Sequence, residues 1–238
     1  MVVLIPSQTL YLAKKKMLRT LASLISWITH PLLAITYIYI ILLFTDPFDF
    51  GFGKWSDSGA IILFFRIFLT TFFIPGFAVI MLTFIGLAKS IELPEKEDRI
   101  APYIITGIFY LWMFRNFLDN PDIPSSFSRA ILGSSIGLFL AFFINIFDKI
   151  SAHTVGIGGI LGFMILFLFQ KGNTIIFFQD FSTNIYLVPI SLIFVLIILI
   201  AGLTGSSRLY LKAHSPAQVY AGYFIGIITQ FIALRFIP

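Results

Sequence analysis

Cysteine is absent from the 238 residues of this chain, and charged residues are scarce. Without cysteine there can be no disulfide framework, no thiolate metal site and no cysteine nucleophile, and the compartment cannot be deduced from redox chemistry. Asp, Glu, Lys and Arg make up 11% of the residues, about half of their share in a soluble domain. Most of this sequence therefore cannot form the surface of a soluble domain.

Hydrophobic residues take the place of the missing charges. They make up 58% of the chain, including 29 Phe, and the mean hydropathy is +0.98. A helix that crosses a membrane needs about 20 mostly apolar residues. We therefore predict an all-α, polytopic transmembrane helix bundle of about seven spans, at approximately residues 21–45, 60–88, 100–118, 128–147, 154–170, 185–204 and 219–236.

The net charge of +5 comes from basic residues in the short segments between the apolar runs. Such residues orient a membrane protein and contact anionic headgroups, so we expect membrane lipids, and not nucleic acid, as partners. Three consecutive Lys at residues 14–16 precede the first apolar run, which has no cleavage signal of small residues before Asp46. This favours a retained first span over a signal peptide.

Three polar clusters interrupt the apolar pattern, at residues 96–102, 151–154 and 207–218. Two predicted spans separate each cluster from the next, so all three are expected at the same membrane face. Arg and Lys side chains meeting there would neutralise a phosphate through charge-assisted hydrogen bonds. A His at a helix N-terminus would lie where free N–H groups favour an anion, and two His could serve as nucleophile and general acid.

Gln218 follows His214 by four residues. If this segment is helical, both side chains lie on one face. The amide oxygen could then accept a hydrogen bond from the imidazole N–H and fix the tautomer of His214.

The three clusters together resemble the type 2 phosphatidic acid phosphatase family, over residues 89–226. Arg208 and His214, with five residues between them, match its third motif, which is Ser-Arg, five residues, His, three residues, Asp. Residues 151–153, Ser-Ala-His, resemble its second motif, Pro-Ser-Gly-His. Residues 96–102 resemble its first motif, in which a Lys precedes an Arg-Pro pair.

The resemblance implies a fold and a function. Residues 59–238 would form a lipid-phosphatase-like transmembrane domain with a phosphatidic acid phosphatase type 2-like core. Residues 1–58 would form an N-terminal segment with the first span, integrated into the same membrane domain. Family members use no metal, and we expect no other cofactor. They remove phosphate from lipid phosphates and polyprenyl diphosphates, so the function expected here is phosphate removal from such a lipid through a phosphohistidine.

The resemblance also implies a role for each site residue. His214 would be the nucleophile, His153 would protonate the leaving oxygen, and Gln218 would orient His214. The phosphate oxygens would be held by Arg208, Arg99, Lys96, Ser151 and the backbone at Ala152.

Two departures from the family pattern keep other functions open. Gln218 stands where the family has Asp, and a neutral amide stabilises a cationic His less well. Glu92 stands at the position of the first-motif Lys. One alternative is a non-catalytic relative that binds or moves a phospholipid, and another is a lipid phosphotransferase. The oligomeric state is left open by the sequence.

His30 lies within the first predicted span, beside Pro31. An ionisable residue inside a span is a candidate for function. No motif supports that here, so we favour a structural role, a hydrogen bond to a backbone carbonyl that Pro31 leaves free. Six glycines with the spacing of close helix packing occur at Gly156, Gly158, Gly159, Gly162, Gly222 and Gly226. With no strand before them, packing is favoured over dinucleotide binding.

Membrane orientation is the last expectation from the sequence. We expect a multi-pass integral protein of the bacterial inner (cytoplasmic) membrane. The basic residues place the face with the three clusters in the cytoplasm, whereas many bacterial members of the resembled family face their site away from it. The charge bias favours the cytoplasmic side.

Overall fold

The computed structural model describes residues 6–172, 175–179 and 185–237. The remaining parts of the predicted N-terminal segment and of the connection after residue 171 lie outside the described residues. The helices are α1 (Pro6–Ile28), α2 (Ala34–Thr45), α3 (Ser58–Phe68), α4 (Ile74–Phe84), α5 (Ile100–Leu118), α6 (Ser125–Phe147), α7 (Ala152–Lys171), α8 (Ile190–Tyr210) and α9 (Pro216–Leu234). Short 3-10 turns occur at Pro31–Leu33, Pro47–Phe50 and Glu97–Arg99.

The prediction of an all-α, multi-pass membrane protein is confirmed. Within the described residues, six segments are long and apolar enough to cross a membrane, close to the predicted seven. The one predicted span outside this set is α5. It lies antiparallel to α6: Lys96 Nζ bonds the Ile146 carbonyl at one end, and Ser128 Oγ bonds the Phe117 carbonyl at the other. Helix α5 therefore extends between the same two ends of the bundle as α6.

The first predicted span is interrupted in the structure. The apolar segment Leu10–Thr45 has 36 residues and as one straight helix would measure about 54 Å, far more than the hydrocarbon core of about 30 Å. The chain is instead extended at His30, and a 3-10 turn begins at Pro31. A proline is tolerated at the start of a turn, because the backbone N–H of any residue at that position would have no hydrogen-bond partner.

Helix α1 lies across the end of α8. The Tyr210 hydroxyl is 3.5 Å from the Lys15 carbonyl, and Ser26 Oγ is 3.2 Å from Ser207 Oγ. Residues 15 and 26 are separated by about 17 Å of helix, residues 207 and 210 by only about 5 Å. The two helices must therefore be steeply inclined, which places α1 at one end of the bundle.

The second predicted span is one long helix with a π turn. The π turn at Leu69–Phe73 joins α3 to α4 just before Pro75. Proline clashes with the carbonyl four residues earlier in a regular α-helix, and a π turn is a known way to accommodate such an interruption.

The predicted start of the sixth span is wrong. Residues 185–189 form a strand, β2 (Ile185–Pro189), which pairs antiparallel with β1 (Ile175–Gln179), and α8 starts at Ile190. Pro189 cannot donate in a sheet or in a helix interior, so it marks the transition. At its other end α8 extends past the predicted Thr204 to Tyr210, so Arg208 belongs to the last helical turn.

The glycine prediction is confirmed at the contact between α7 and α9. A Cβ on Gly158 would lie 2.7 Å from the Tyr223 carbonyl oxygen, and one on Gly162 would lie 2.7 Å from that of Ile227. A Cβ on Gly226 would collide with the Val155 carbonyl. The backbones of α7 and α9 thus pack at a distance that only glycine permits.

Candidate active site

The polar clusters meet at one end of the bundle. Arg99 Nη1 donates to the Ile150 carbonyl at 3.2 Å, which joins the first cluster to the second. The Ser151 N–H donates to the Gln218 carbonyl at 3.4 Å, which joins the second to the third. The three clusters therefore meet at one face of the bundle, as the sequence predicted.

His214 occupies the short connection between α8 and α9. Lys212 has a φ of 55°, which turns the chain sharply after α8. Ser215 then caps α9, Pro216 takes its first position, and a capping box forms with Gln218. This local sequence is suited to start a helix immediately after His214. The His214 side chain is held in a confined position, with 8% of the residue exposed.

Gln218 fixes the tautomer of His214. Its Oε1 accepts from the Ser215 N–H at 3.2 Å, and since a backbone N–H needs an acceptor, this atom must be the amide oxygen. The same Oε1 lies 3.2 Å from His214 Nδ1, which must therefore carry the proton in the neutral ring. The second ring nitrogen, Nε2, is left with its lone pair, as a nucleophile requires.

The Asp148 carboxylate contacts Gln218 and reaches His214 only through that amide. Gln218 Nε2 donates to Asp148 Oδ1 at 3.2 Å. The amide thus stands between His214 and a negative charge, in the place where the resembled family puts the carboxylate itself. Asp148 is exposed to solvent, which weakens its effect on the imidazole.

Burial lowers the pKa of His214 from its ordinary value of 6.5 to about 4. The positive charges of Arg99, Arg208 and Lys149 act in the same direction, and the hydrogen bond with Gln218 opposes them. A neutral imidazole is therefore the dominant form of His214 at neutral pH. The same three cations create the positive potential that an incoming anion would meet.

His153 lies in the first turn of α7. Ser151 caps this helix, with its Oγ accepting from the Thr154 N–H at 3.5 Å. The N–H groups of Ala152 and His153 precede the first intrahelical donor, the Val155 N–H, and lie at the positive end of the helix dipole. The His153 ring also interacts electrostatically with Arg208, His30 and His214.

Arg208 has a guanidinium that is only partly satisfied. Its Nη1 lies 3.2 Å from Ser26 Oγ. Its Nε is buried without a hydrogen-bond partner among the described residues. A buried donor without a partner costs free energy, and an anion bound beside His153 would satisfy it.

Arg99 holds the first cluster in place. Its Nε donates to the Leu93 carbonyl at 2.9 Å, and its charge acts on both His214 and Arg208. Burial lowers the pKa of Arg99, with Tyr103 and Asp98 opposing that effect. Arginine nevertheless stays cationic at physiological pH, so Arg99 contributes a fixed positive charge beside His214.

The Lys96 side chain does not reach the candidate site around His214. Its ammonium donates to the carbonyls of Ile146 and Phe147, at 3.1 and 3.4 Å, at the C-terminus of α6. A cation is stabilised there by the helix dipole. Lys149, which the sequence reasoning did not single out, is the Lys whose charge acts on His214. Glu92 acts electrostatically on Arg208, so a carboxylate faces a proposed phosphate ligand.

His30, for which the sequence favoured a structural role over a functional one, lies beside His153 in the structure. Its ring is 5.6 Å from that of His153, between centroids, and its charge interaction is with Arg208. Its Nδ1 accepts from the Leu32 N–H at 3.4 Å, so it caps the 3-10 turn instead of bonding a freed carbonyl. The signal available in the sequence was Ser26 and His30, two polar residues four apart in an apolar run.

No metal-binding cluster is found among the residues that the structure describes. No group of three or more His, Cys, Asp or Glu side chains there is arranged to hold an ion. The charged residues around His214 are instead mostly cations, Arg99, Arg208 and Lys149.

Comparison with known proteins gives one match. The family model described as the PAP2 superfamily matches residues 141–238. The match includes His153, Arg208 and His214, and it leaves out Arg99 and the N-terminal helices. No curated protein and no solved structure matches the chain. Residues 141–238, less than half of the chain, are therefore similar to the PAP2 superfamily.

Proposed function

We propose that this protein is a metal-independent membrane phosphatase that removes phosphate from a lipid phosphate or polyprenyl diphosphate. One observation carries the proposal: His153, Arg208 and His214 meet at one end of a membrane bundle, and all three lie within the superfamily match. The superfamily supports phosphatase-type chemistry in general. The lipid substrate and the residue roles are our proposal.

In the first chemical step, His214 Nε2 attacks the phosphorus. An N–P bond forms while the P–O bond to the lipid breaks, and His153 gives a proton to the leaving lipid oxygen. Arg99 and Arg208 hold the non-bridging oxygens, where charge must be stabilised throughout the transfer. Gln218 keeps the proton on His214 Nδ1, so the reacting nitrogen stays free.

In the second step, water attacks the phosphorus of the phosphohistidine. His153 accepts the proton of that water, the N–P bond breaks, and inorganic phosphate leaves. Both histidines then return to their starting states. The same residue acts as acid and then as base, as a two-step displacement requires.

The position of the site suits a lipid. Residues 26, 153 and 208 lie in the first or last turns of their helices. The ends of spanning helices are where a bilayer has its headgroups. A lipid phosphate can remain at that depth while its chains stay among the helices.

A panel of lipid phosphates tests the proposal. Purified protein in detergent with EDTA should release inorganic phosphate from at least one lipid phosphate or polyprenyl diphosphate, and vanadate should inhibit the release. No phosphate release from any member of the panel, with the protein shown to be folded, would reject hydrolysis.

A non-catalytic lipid-binding protein is the second candidate. Two observations favour it: an amide, Gln218, bonds His214 where the family has a carboxylate, and Glu92 acts on Arg208. This candidate predicts binding of lipid phosphates without turnover, weakened in an Arg208→Ala variant. Vanadate-sensitive hydrolysis would argue against it. Product analysis with added lipid alcohols would separate hydrolysis from phosphotransfer.

A further inference from the structure

An apolar cavity lies beside the candidate site, outside the polar cluster. Its volume is about 320 Å³, within the range of pockets that hold small ligands. Its walls come from the end of α1, from Thr29 and His30, and from helices α2, α7 and α8. Most of the residues that line it are aliphatic, including Ala34, Ile197 and Ile200.

The polar side chains on the cavity wall already have backbone partners. Thr29 Oγ1 donates to the Ile25 carbonyl at 2.8 Å, and the Tyr37 hydroxyl donates to the Ile28 carbonyl at 2.6 Å. His30 Nδ1 accepts from the Leu32 N–H. A stable water in a cavity needs two to four polar partners. The cavity therefore favours an apolar occupant over water.

The cavity wall includes a residue next to the candidate site and residues on the lateral surface of the bundle. The first is His30, whose ring centroid is 5.6 Å from that of His153. At the rim formed by α8, Leu196 and Ile200 are 50% and 41% exposed on the lateral surface of an apolar helix. That surface faces lipid in a membrane. The cavity thus extends from the lipid-facing side of α8 to His30, the neighbour of the proposed general acid.

We infer that this cavity binds one hydrocarbon chain of the lipid whose phosphate is held at His153 and His214. The inference rests on the proposed function, because that function places the phosphate in the polar cluster. It adds a chain-binding subsite built largely by α2, α7 and α8. Residues from the N-terminal helices, outside the superfamily match, would then help to select the substrate.

Two neighbouring residues of α8 provide a matched test. Ile200 lines the cavity, whereas Leu199 does not, and both are exposed, at 41% and 58%. An Ile200→Trp substitution places a ring at the rim, and Leu199→Trp places one in lipid. Ala34→Leu narrows the cavity from another helix. We expect Ile200→Trp and Ala34→Leu to lower kcat/KM for a long-chain lipid phosphate by about tenfold or more.

A phosphate ester without a hydrocarbon chain is the internal control. With a water-soluble phosphate ester that has no long chain, all three variants should stay within about twofold of wild type, since the polar cluster is untouched. Equal loss with both substrates, or equal behaviour of Ile200→Trp and Leu199→Trp with the long-chain substrate, would overturn the inference.

Photo-crosslinking separates this inference from the proposed function, because it needs no turnover. The probe is a long-chain lipid phosphate with a photoreactive group in the middle of its chain. Adducts should map to α2 and α8 in wild type and fall in Ile200→Trp but not in Leu199→Trp. That result with no hydrolysis would reject the proposed function and keep the subsite. Adducts that are undiminished in Ile200→Trp would reject the subsite, whatever the turnover.

Discussion

At the scale of single residues, the chemistry depends on the pair His214 and Gln218. The amide oxygen accepts from His214 Nδ1 and from the Ser215 N–H, and the amide nitrogen donates to Asp148. One side chain therefore sets the tautomer of the proposed nucleophile and caps α9. A neutral amide can do both, but it brings no full negative charge to the ring.

The role of Gln218 can be tested by two substitutions. Gln218→Leu removes the acceptor of the Nδ1 proton and should lower kcat by about a hundredfold or more, because the reactive tautomer is no longer enforced. Gln218→Glu keeps an acceptor for His214 and Ser215 and should retain most of the activity. The loss of the cap should cost Gln218→Leu about 1 kcal/mol of stability, which a thermal unfolding curve would show separately. Equal activity of the two variants would contradict the positioning role.

The pH dependence of kcat/KM tests the state of His214. Its pKa is lowered to about 4 by burial, so protonation should remove the nucleophile only as the pH falls toward 4. The acid limb due to His214 should therefore lie well below pH 6.5, the ordinary value. In Gln218→Glu the added negative charge favours the imidazolium, and the limb should move to higher pH. A limb near 6.5 in wild type, unmoved in Gln218→Glu, would contradict this account.

At the scale of helices, the pair α7 and α9 holds the two proposed catalytic histidines at a fixed separation. His153 is in the first turn of α7, and His214 immediately precedes the cap of α9. The glycines between these helices allow their backbones to touch. Close backbone packing leaves little freedom for one helix to shift against the other.

Alanine substitutions test this contact. Gly158→Ala places a Cβ 2.7 Å from the Tyr223 carbonyl oxygen and should destabilise the protein by about 1–3 kcal/mol. Gly202, on α8, has nothing within 4 Å of its Cβ position, so Gly202→Ala is the matched control and should be neutral or stabilising. Thermal unfolding in detergent measures both. Equal unfolding temperatures would show that the α7–α9 contact is not tight.

Helix positions were largely predictable from the sequence, and helix interruptions were less predictable. Long apolar runs have one stable form in a membrane, which is why α6, α7 and α9 were located within a few residues. Residues 185–189, Ile-Tyr-Leu-Val-Pro, are a short apolar run that periodicity cannot assign to strand or helix. The break at His30 had a local signal in Pro31, which disfavours a helical conformation for the residue before it. The packing of α1 across α8 is a tertiary contact and had no such signal.

The candidate site was predictable where the spacing of residues carried information. Counting spans brought Arg99, His153 and His214 to one face, as the structure has them. Lys96 and Lys149 could not be told apart, since a flexible Lys side chain reaches several partners from a loop. The sequence did not place His30 at the site, because its neighbour in space, His153, is more than a hundred residues away in sequence.

At the scale of the whole molecule, the open question is the side of the membrane that the site faces. We predict the cytoplasmic side, on the basis of the Lys residues of α1 at positions 14–16, which are exposed at the site end of the bundle. The chain has no Cys, so a Ser206→Cys variant carries a single thiol. Ser206 is exposed near that end. A membrane-impermeant thiol reagent should leave it unlabelled in intact cells and label it after lysis. Labelling in intact cells would place the site on the opposite side.

The central claim is that this membrane bundle transfers a phosphoryl group to His214. The most direct measurement compares inorganic phosphate release from a lipid phosphate by wild type and by a His214→Ala variant, in EDTA and with equal folded protein. The account predicts release by wild type and a loss of at least about a thousandfold in His214→Ala, because the nucleophile is gone. Full activity of His214→Ala would contradict it.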